Sequence, residues 1–289
     1  MPVWFLPALA TALAVSSQEA GVKRFFSDLN VYEMAAYPLA YSFPLFVAAA
    51  LLVPVPPLDA TFAVCFVASI PLNGVAFVLY TRAIQISPLS LTVPYLAFTP
   101  AFMIVTGAVF LGEVPSAGGL AGILTLCAGG YILNIDPARW SLFDPLKAVF
   151  RETGSWVMLV VSGLFSITAV IGKKGMLHST PLFFIVVFFG SFALIYLIYL
   201  RLVRGIRLRR LLARPGRGLI VGGLFFLHAV LHGWAISLTQ ASYMISVKRL
   251  SVVFGVIYGK LIFQETNIAF RISGAALMAL GTALITLTG

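Results

Sequence analysis

Charge is what this sequence has least of. Only 10% of its 289 residues are Asp, Glu, Lys or Arg, and nine of them are acidic. A soluble domain devotes about a quarter of its residues to charge because its surface must face water, so a water-soluble globule is excluded. Two cysteines exclude a disulfide scaffold; Cys65 and Cys127 stand apart in apolar runs and read as small packing residues. No glycine-rich phosphate loop ending in Lys and Ser or Thr is present, so neither ATP drive nor any other cofactor is expected.

What is there instead is apolar. Hydrophobic residues make up 61% of the chain and its mean hydropathy is +1.04, which excludes disorder, collagen and coiled coil. The reading is all-α, an integral protein of the cell membrane. A helix needs roughly 20 apolar residues to cross a hydrocarbon core, and that length predicts ten transmembrane helices at 3–26, 32–53, 60–86, 89–111, 116–135, 154–177, 181–202, 218–239, 242–263 and 268–287. The first lacks a basic leader and a cleavage site, so it is expected to be retained. A longer polar link, 136–153, separates two sets of five helices, 1–135 and 154–289.

The net charge of +10 comes largely from seven arginines between Arg201 and Arg217. In a soluble chain such an excess suggests nucleic acid; beside membrane helices it reads as a topology determinant that meets anionic head groups, and no nucleic acid is expected. The positive-inside rule then places the basic loop 203–217 in the cytoplasm and both termini outside.

Sliding the chain against itself by 152 residues aligns Ala83 with Ala235, Ser90 with Ser242, Gly107 with Gly259, Glu113 with Glu265, Gly122 with Gly274 and Gly129 with Gly281. A shift of 150 pairs Ser16 with Ser166 and Lys23 with Lys173. Each half holds an odd number of helices, so the second must enter the membrane upside down. Two inverted five-helix repeats put a substrate site near the midplane, and rocking of one half on the other gives alternating access.

The repeated segment also carries a resemblance. Pro94 and Pro100, then Leu111-Gly112-Glu113, then Gly118, Gly119, Gly122, Gly129 and Gly130 resemble the fourth and fifth helices of the drug/metabolite transporter superfamily, EamA-type branch; Gln264-Glu265, Gly274 and Gly281 echo them. The resemblance implies a carrier of small metabolites, with a cavity between the halves and the fifth and tenth helices as supports. Two features depart from it. Ser251-Val252-Val253 stands where a Glu-Pro-Val element is usual, and the basic loop lies between helices seven and eight. Relatives usually have cytoplasmic termini, so the direction of transport does not carry over.

Ionisable groups inside spans cost several kcal/mol and mark a pathway or a paired site. Lys248 and Arg249, about 9 Å into the ninth span, read as an anion site or as a structural pair with Glu19. Glu19, in Ser16-Ser17-Gln18-Glu19, pairs with Lys23 along its helix or binds a proton or cation. His228 and His232 share one helix face and suit cavity hydrogen bonding or proton relay; no third ligand is near in sequence, so no metal is expected. Asn73, Tyr80, Tyr95 and Thr99 supply neutral polar groups to the site. Arg82, Lys173 and Lys174 are placed to reach head groups, with Lys173 and Lys23 alternatively lining symmetric mouths. Glu113 and Glu265 read as caps or loop salt bridges.

The expectation is therefore a non-enzymatic secondary carrier for a small organic anion or an amino-acid-like zwitterion, with the lipid bilayer as its other partner. The alternative is proton-coupled export of cationic or aromatic compounds through Glu19. A third reading makes His228 and His232 the centre of an intramembrane lipid-modifying enzyme, against which the repeat argues.

Overall fold

The computed structural model describes residues 2–87, 93–133, 153–264 and 269–289. Among them every regular element is helical. In chain order these are α1 (Phe5–Phe26), α2 (Val31–Leu52), α3 (Ala60–Ile86), a 3-10 turn (Val93–Phe98), α4 (Thr99–Leu111), α5 (Ala117–Leu133), α6 (Thr153–Leu177), α7 (Pro181–Leu202), a second 3-10 turn (Leu208–Ala213), α8 (Pro215–Ser237), α9 (Ala241–Lys248), α10 (Ser251–Phe263) and α11 (Ala269–Thr288). The link 136–152, Glu265, Pro88 and Ser90 lie outside the described residues.

Six of these, α2, α3, α6, α7, α8 and α11, contain stretches long and apolar enough to cross a membrane. The 22 residues of α1 span about 33 Å, enough to cross, but Glu19, Lys23 and Arg24 lower its hydropathy. Outward side chains such as Val64, Val67, Val105, Val109, Leu261 and Leu280 are exposed, the inverse of a soluble surface and what hydrocarbon requires. Side-chain caps start several helices: Asn30 accepts from the Glu33 amide, Asp59 from that of Phe62, and Thr180 from that of Phe183.

Two expected spans are broken. The segment 89–111 is not one helix: its described part runs through the 3-10 turn Val93–Phe98 before α4 begins. The segment 242–263 divides into α9 and α10 at Arg249 and Leu250, whose amides bond three residues back to Ser246 and Val247 at 3.0 Å. Tightening to i→i+3 bonds redirects the chain without leaving backbone donors unmade. Pro94 and Pro100 announce the first break; no proline or glycine announces the second. Thr99 and Ser251, the first residues of α4 and α10, are 152 positions apart. So are Gly112 and Gln264, which close those helices in the left-handed conformation with φ of 68° and 55°.

The closest packing joins α5 to α11. A Cβ on Gly122 would lie 2.8 Å from the Gly281 carbonyl oxygen, and one on Gly129 2.7 Å from that of Gly274. The contacts are reciprocal under the 152-residue shift: Gly122 meets the Ile285 amide as Gly274 meets that of Leu133, and Gly281 meets the Leu126 amide as Gly129 meets that of Met278. Glycine is required here because a side chain would meet backbone. Likewise α1 lies along α8 and α3 along α6, pairings that the shift exchanges.

One pairing is not exchanged. α8 packs along α2, with the Tyr41 ring over Gly218 and the Tyr41 backbone against Gly222, whereas α3 and α7 meet through interleaved rings, Phe62 and Phe66 on Phe184 and Phe77 on Tyr196. Positions 66 and 70, which the shift matches to those glycines, hold Phe66 and Ile70.

Replacing Gly122 with Leu should cost about 1–3 kcal/mol by overpacking, read as a lower thermal midpoint of the purified protein in detergent. Gly163→Ala, where nothing lies within 4 Å, should leave that midpoint unchanged or raise it, since alanine stabilises a helix interior relative to glycine.

Candidate functional site

Between the helices lies a cavity of ≈ 370 Å³, in the lower part of the range of about 300–1,000 Å³ usual for ligand pockets. It is bordered by α1, α3, α6, α7, α8, α9 and the start of α4. Of the residues singled out in the sequence, Glu19, Asn73, Thr99, His228, His232, Lys248 and Arg249 line it. Tyr80 and Tyr95 do not. Tyr80 stands one layer back with its ring 6.5 Å from that of Phe165, and Tyr95 is buried in a cluster with Ala83, Met158 and Val161.

The two helix breaks meet at this cavity. Arg249 donates from Nη2 to Thr99 Oγ1 at 2.8 Å, and Thr99 Oγ1 lies 2.9 Å from both the Leu96 carbonyl oxygen and Ser162 Oγ. Arg249 Nε is buried without a hydrogen-bond partner, as are Nδ1 of His228 and Nδ1 of His232. Glu19 is exposed to the cavity interior and lies within electrostatic reach of Arg249 and Lys248. Lys248 in turn lies within reach of both histidines. None of the ion pairs within 4.0 Å among the described residues joins these three charges. Asn73 donates to the Ser69 carbonyl oxygen one turn back. No group of three His, Cys, Asp or Glu able to hold a metal occurs among the described residues.

Sequence reasoning missed α7. Its Phe184, Ile185, Phe188 and Phe189 complete the lining, joined by Phe165 from α6 and Phe225 from α8. Aromatic residues in a membrane helix read alike whether they face lipid or interior, so no local signal marks these.

Two polar networks close the ends of the bundle. At the basic end part of the arginine-rich loop is docked on α1 and α2, while Arg201, Arg207, Arg209 and Arg217 stay exposed. Arg214 makes two bonds to Asp28 at 2.7 and 2.6 Å, Arg210 reaches Glu33 at 3.3 Å, and Leu211 is 4% exposed. Tyr37 and Tyr41 donate to the Arg210 and Leu211 carbonyl oxygens, and the Arg204 guanidinium lies 3.7 Å over the Tyr32 ring. At the opposite end Lys173 does not reach head groups. Its side chain, 5% exposed, pairs with Glu113 and donates to the Thr239 carbonyl oxygen. Glu113 also accepts from the Ala241 amide at 2.7 Å, so it is both cap and salt bridge. His178 Nδ1 lies 2.7 Å from Asp59 at the same end.

An all-helical bundle with apolar outer faces around a cavity that gathers a few charged side chains is the architecture of an integral membrane protein. More particularly, residues 3–135, somewhat under half of the chain, match the model of the EamA-like transporter family, and that stretch holds Pro100, Leu111-Gly112-Glu113 and the glycines of α5, on which the resemblance rests. No curated protein matches. Of 28 solved chains that match, one crystal structure of a protein 15% identical superimposes with a TM-score of 0.72 over 98% of this chain and 97% of that one; at that identity the likeness is one of fold.

The Arg214 hydrogen bonds hold the Asp28 carboxyl below its ordinary value of 3.8. A depressed carboxylate contributes stability that is complete above its unfolded value and lost as the pH falls through the folded one. Thermal midpoints measured against pH should therefore show wild type above Asp28→Asn at neutral pH, the gap closing only below about pH 4.

Proposed function

We propose that this protein is a secondary carrier built from two inverted five-helix repeats, 1–135 and 154–289, which moves a small organic anion or zwitterion by alternating access. Each broken pair, the 3-10 turn with α4 and α9 with α10, counts as one pass, giving ten. The reciprocal Gly122–Gly281 and Gly129–Gly274 contacts support the inversion, because an antiparallel pair related by a twofold axis must exchange its contacts in this way. The matched breaks at Thr99 and Ser251 support it independently.

The departure from symmetry supports alternation. Tyr41 closes on Gly218 and Gly222 at the basic end, while the equivalent helices α3 and α7 are held further apart by rings, Phe66 against Phe184 and Phe77 against Tyr196. Rocking would close this seam and open the other. With the arginine loop in the cytoplasm, the basic end faces inward and both termini outward.

The observation that carries the solute class is the placing of Lys248 and Arg249 at a helix break facing the cavity, with one carboxylate, Glu19, to balance them. An oxyanion supplies the acceptor that Arg249 Nε lacks. In proteoliposomes, uptake of labelled organic acids should fall at least about tenfold in Lys248→Ala and in Arg249→Ala, the loss expected for one charge-assisted bond. Uptake unchanged in both would remove the anion site.

A second reading rests on Glu19, which faces the cavity with no hydrogen bond from the described residues. It makes Glu19 the proton-coupling group for export of cationic or aromatic compounds. Under it Glu19→Gln abolishes the dependence of flux on a pH gradient; an unaltered dependence would dispose of it.

A further inference from the structure

The cavity is chemically two-sided. Its charges stand on α1 and at the α9–α10 break: Glu19, Lys248 and Arg249. The wall contributed by α6, α7 and α8 is aromatic, with Phe165, Phe184, Phe188, Phe189 and Phe225. The phenylalanines of α7 and α8 are packed against one another. Phe184 stacks on Phe188 at 5.8 Å, Phe188 meets Phe189 edge-on at 5.1 Å, and Phe189 meets Phe225 at 5.5 Å. Phe46 of α2 backs Phe189 at 5.8 Å. A wall of interlocked rings backed by a fully buried one is preformed, and preformed apolar surface selects an apolar partner.

Two further quantities narrow the solute. Two cations and one carboxylate leave the site a formal charge of +1, which one acidic group neutralises. A volume of ≈ 370 Å³ is enough for a small organic acid, so a carboxylate joined to one ring fits.

We infer that the solute is an amphipathic monoanion, a single carboxylate or comparable oxyanion carrying an aromatic or bulky apolar body, bound with its acid on Lys248 and Arg249 and its body against Phe188, Phe189 and Phe225. This deepens the anion-carrier reading and rests on it. The apolar body replaces water along the ring wall, while the acid satisfies the orphaned Arg249 Nε. The orientation follows from the positions of the two walls.

The test is binding of 3-phenylpropionate, propionate and phenylsuccinate to the purified full-length protein at neutral pH, by calorimetry. 3-Phenylpropionate should bind at least about tenfold more tightly than propionate, the gain expected from burying one ring. It should also bind more tightly than the dianion phenylsuccinate. Phe189→Leu and Phe225→Leu, conservative enough to keep the fold, should weaken phenylpropionate more than propionate and so shrink the phenylpropionate-to-propionate ratio. Equal binding of phenylpropionate and propionate, or a ratio untouched by both leucine variants, would overturn the aromatic body and leave the anion carrier standing. Phenylsuccinate binding as tightly as phenylpropionate would overturn the single charge. No binding of any of the three acids would instead sink the anion-carrier reading itself.

Discussion

Hydrocarbon offers no hydrogen bonds, so every polar group carried into it must find a partner within the protein or line a cavity. That constraint organises the molecule. It makes every regular element among the described residues helical, and it confines the two breaks within expected spans, at Val93–Phe98 and at Arg249-Leu250, to places where i→i+3 bonds and the Arg249–Thr99 contact satisfy the interrupted ladder. It also explains the company the charges keep. Lys173 is buried against Glu113, Arg214 pairs with Asp28 at the exposed basic end, and Glu19, Lys248 and Arg249 face the cavity.

Helix association in lipid cannot draw on hydrophobic burial, since lipid tails are as apolar as leucine. Close backbone approach substitutes for it. At α5 and α11 four glycines bring backbone against backbone, and at α2 and α8 Gly218 admits the Tyr41 ring while Gly222 meets the backbone of Tyr41 and Ser42. The first contact is reciprocal under the 152-residue shift. The second exists on one side only, because Phe66 and Ile70 occupy the matching places on α3, and it therefore distinguishes one end of the bundle from the other.

Much of the site was legible because charge in an apolar run is conspicuous. Glu19, His228, His232, Lys248 and Arg249 were visible for that reason, and all five line the cavity. Tyr80 and Tyr95 were overcalled because a hydroxyl near a helix centre says nothing about which way its ring turns; both pack behind the lining. The α7 phenylalanines were invisible for the opposite reason, being indistinguishable from lipid-facing residues. The ion pairs of the arginine loop were not legible because its partners, Asp28 and Glu33, lie more than 170 residues away.

The sequence by itself determined the membrane class, the approximate spans and the 152-residue echo, because these depend on composition and spacing along the chain. Only the tertiary structure decided where the ninth span breaks, which aromatic rings form the second wall, and which ends the two salt-bridged networks close. Those outcomes turn on side chains meeting across helices distant in sequence, and a helix periodicity that is apolar on every face carries no record of which face meets protein and which meets lipid.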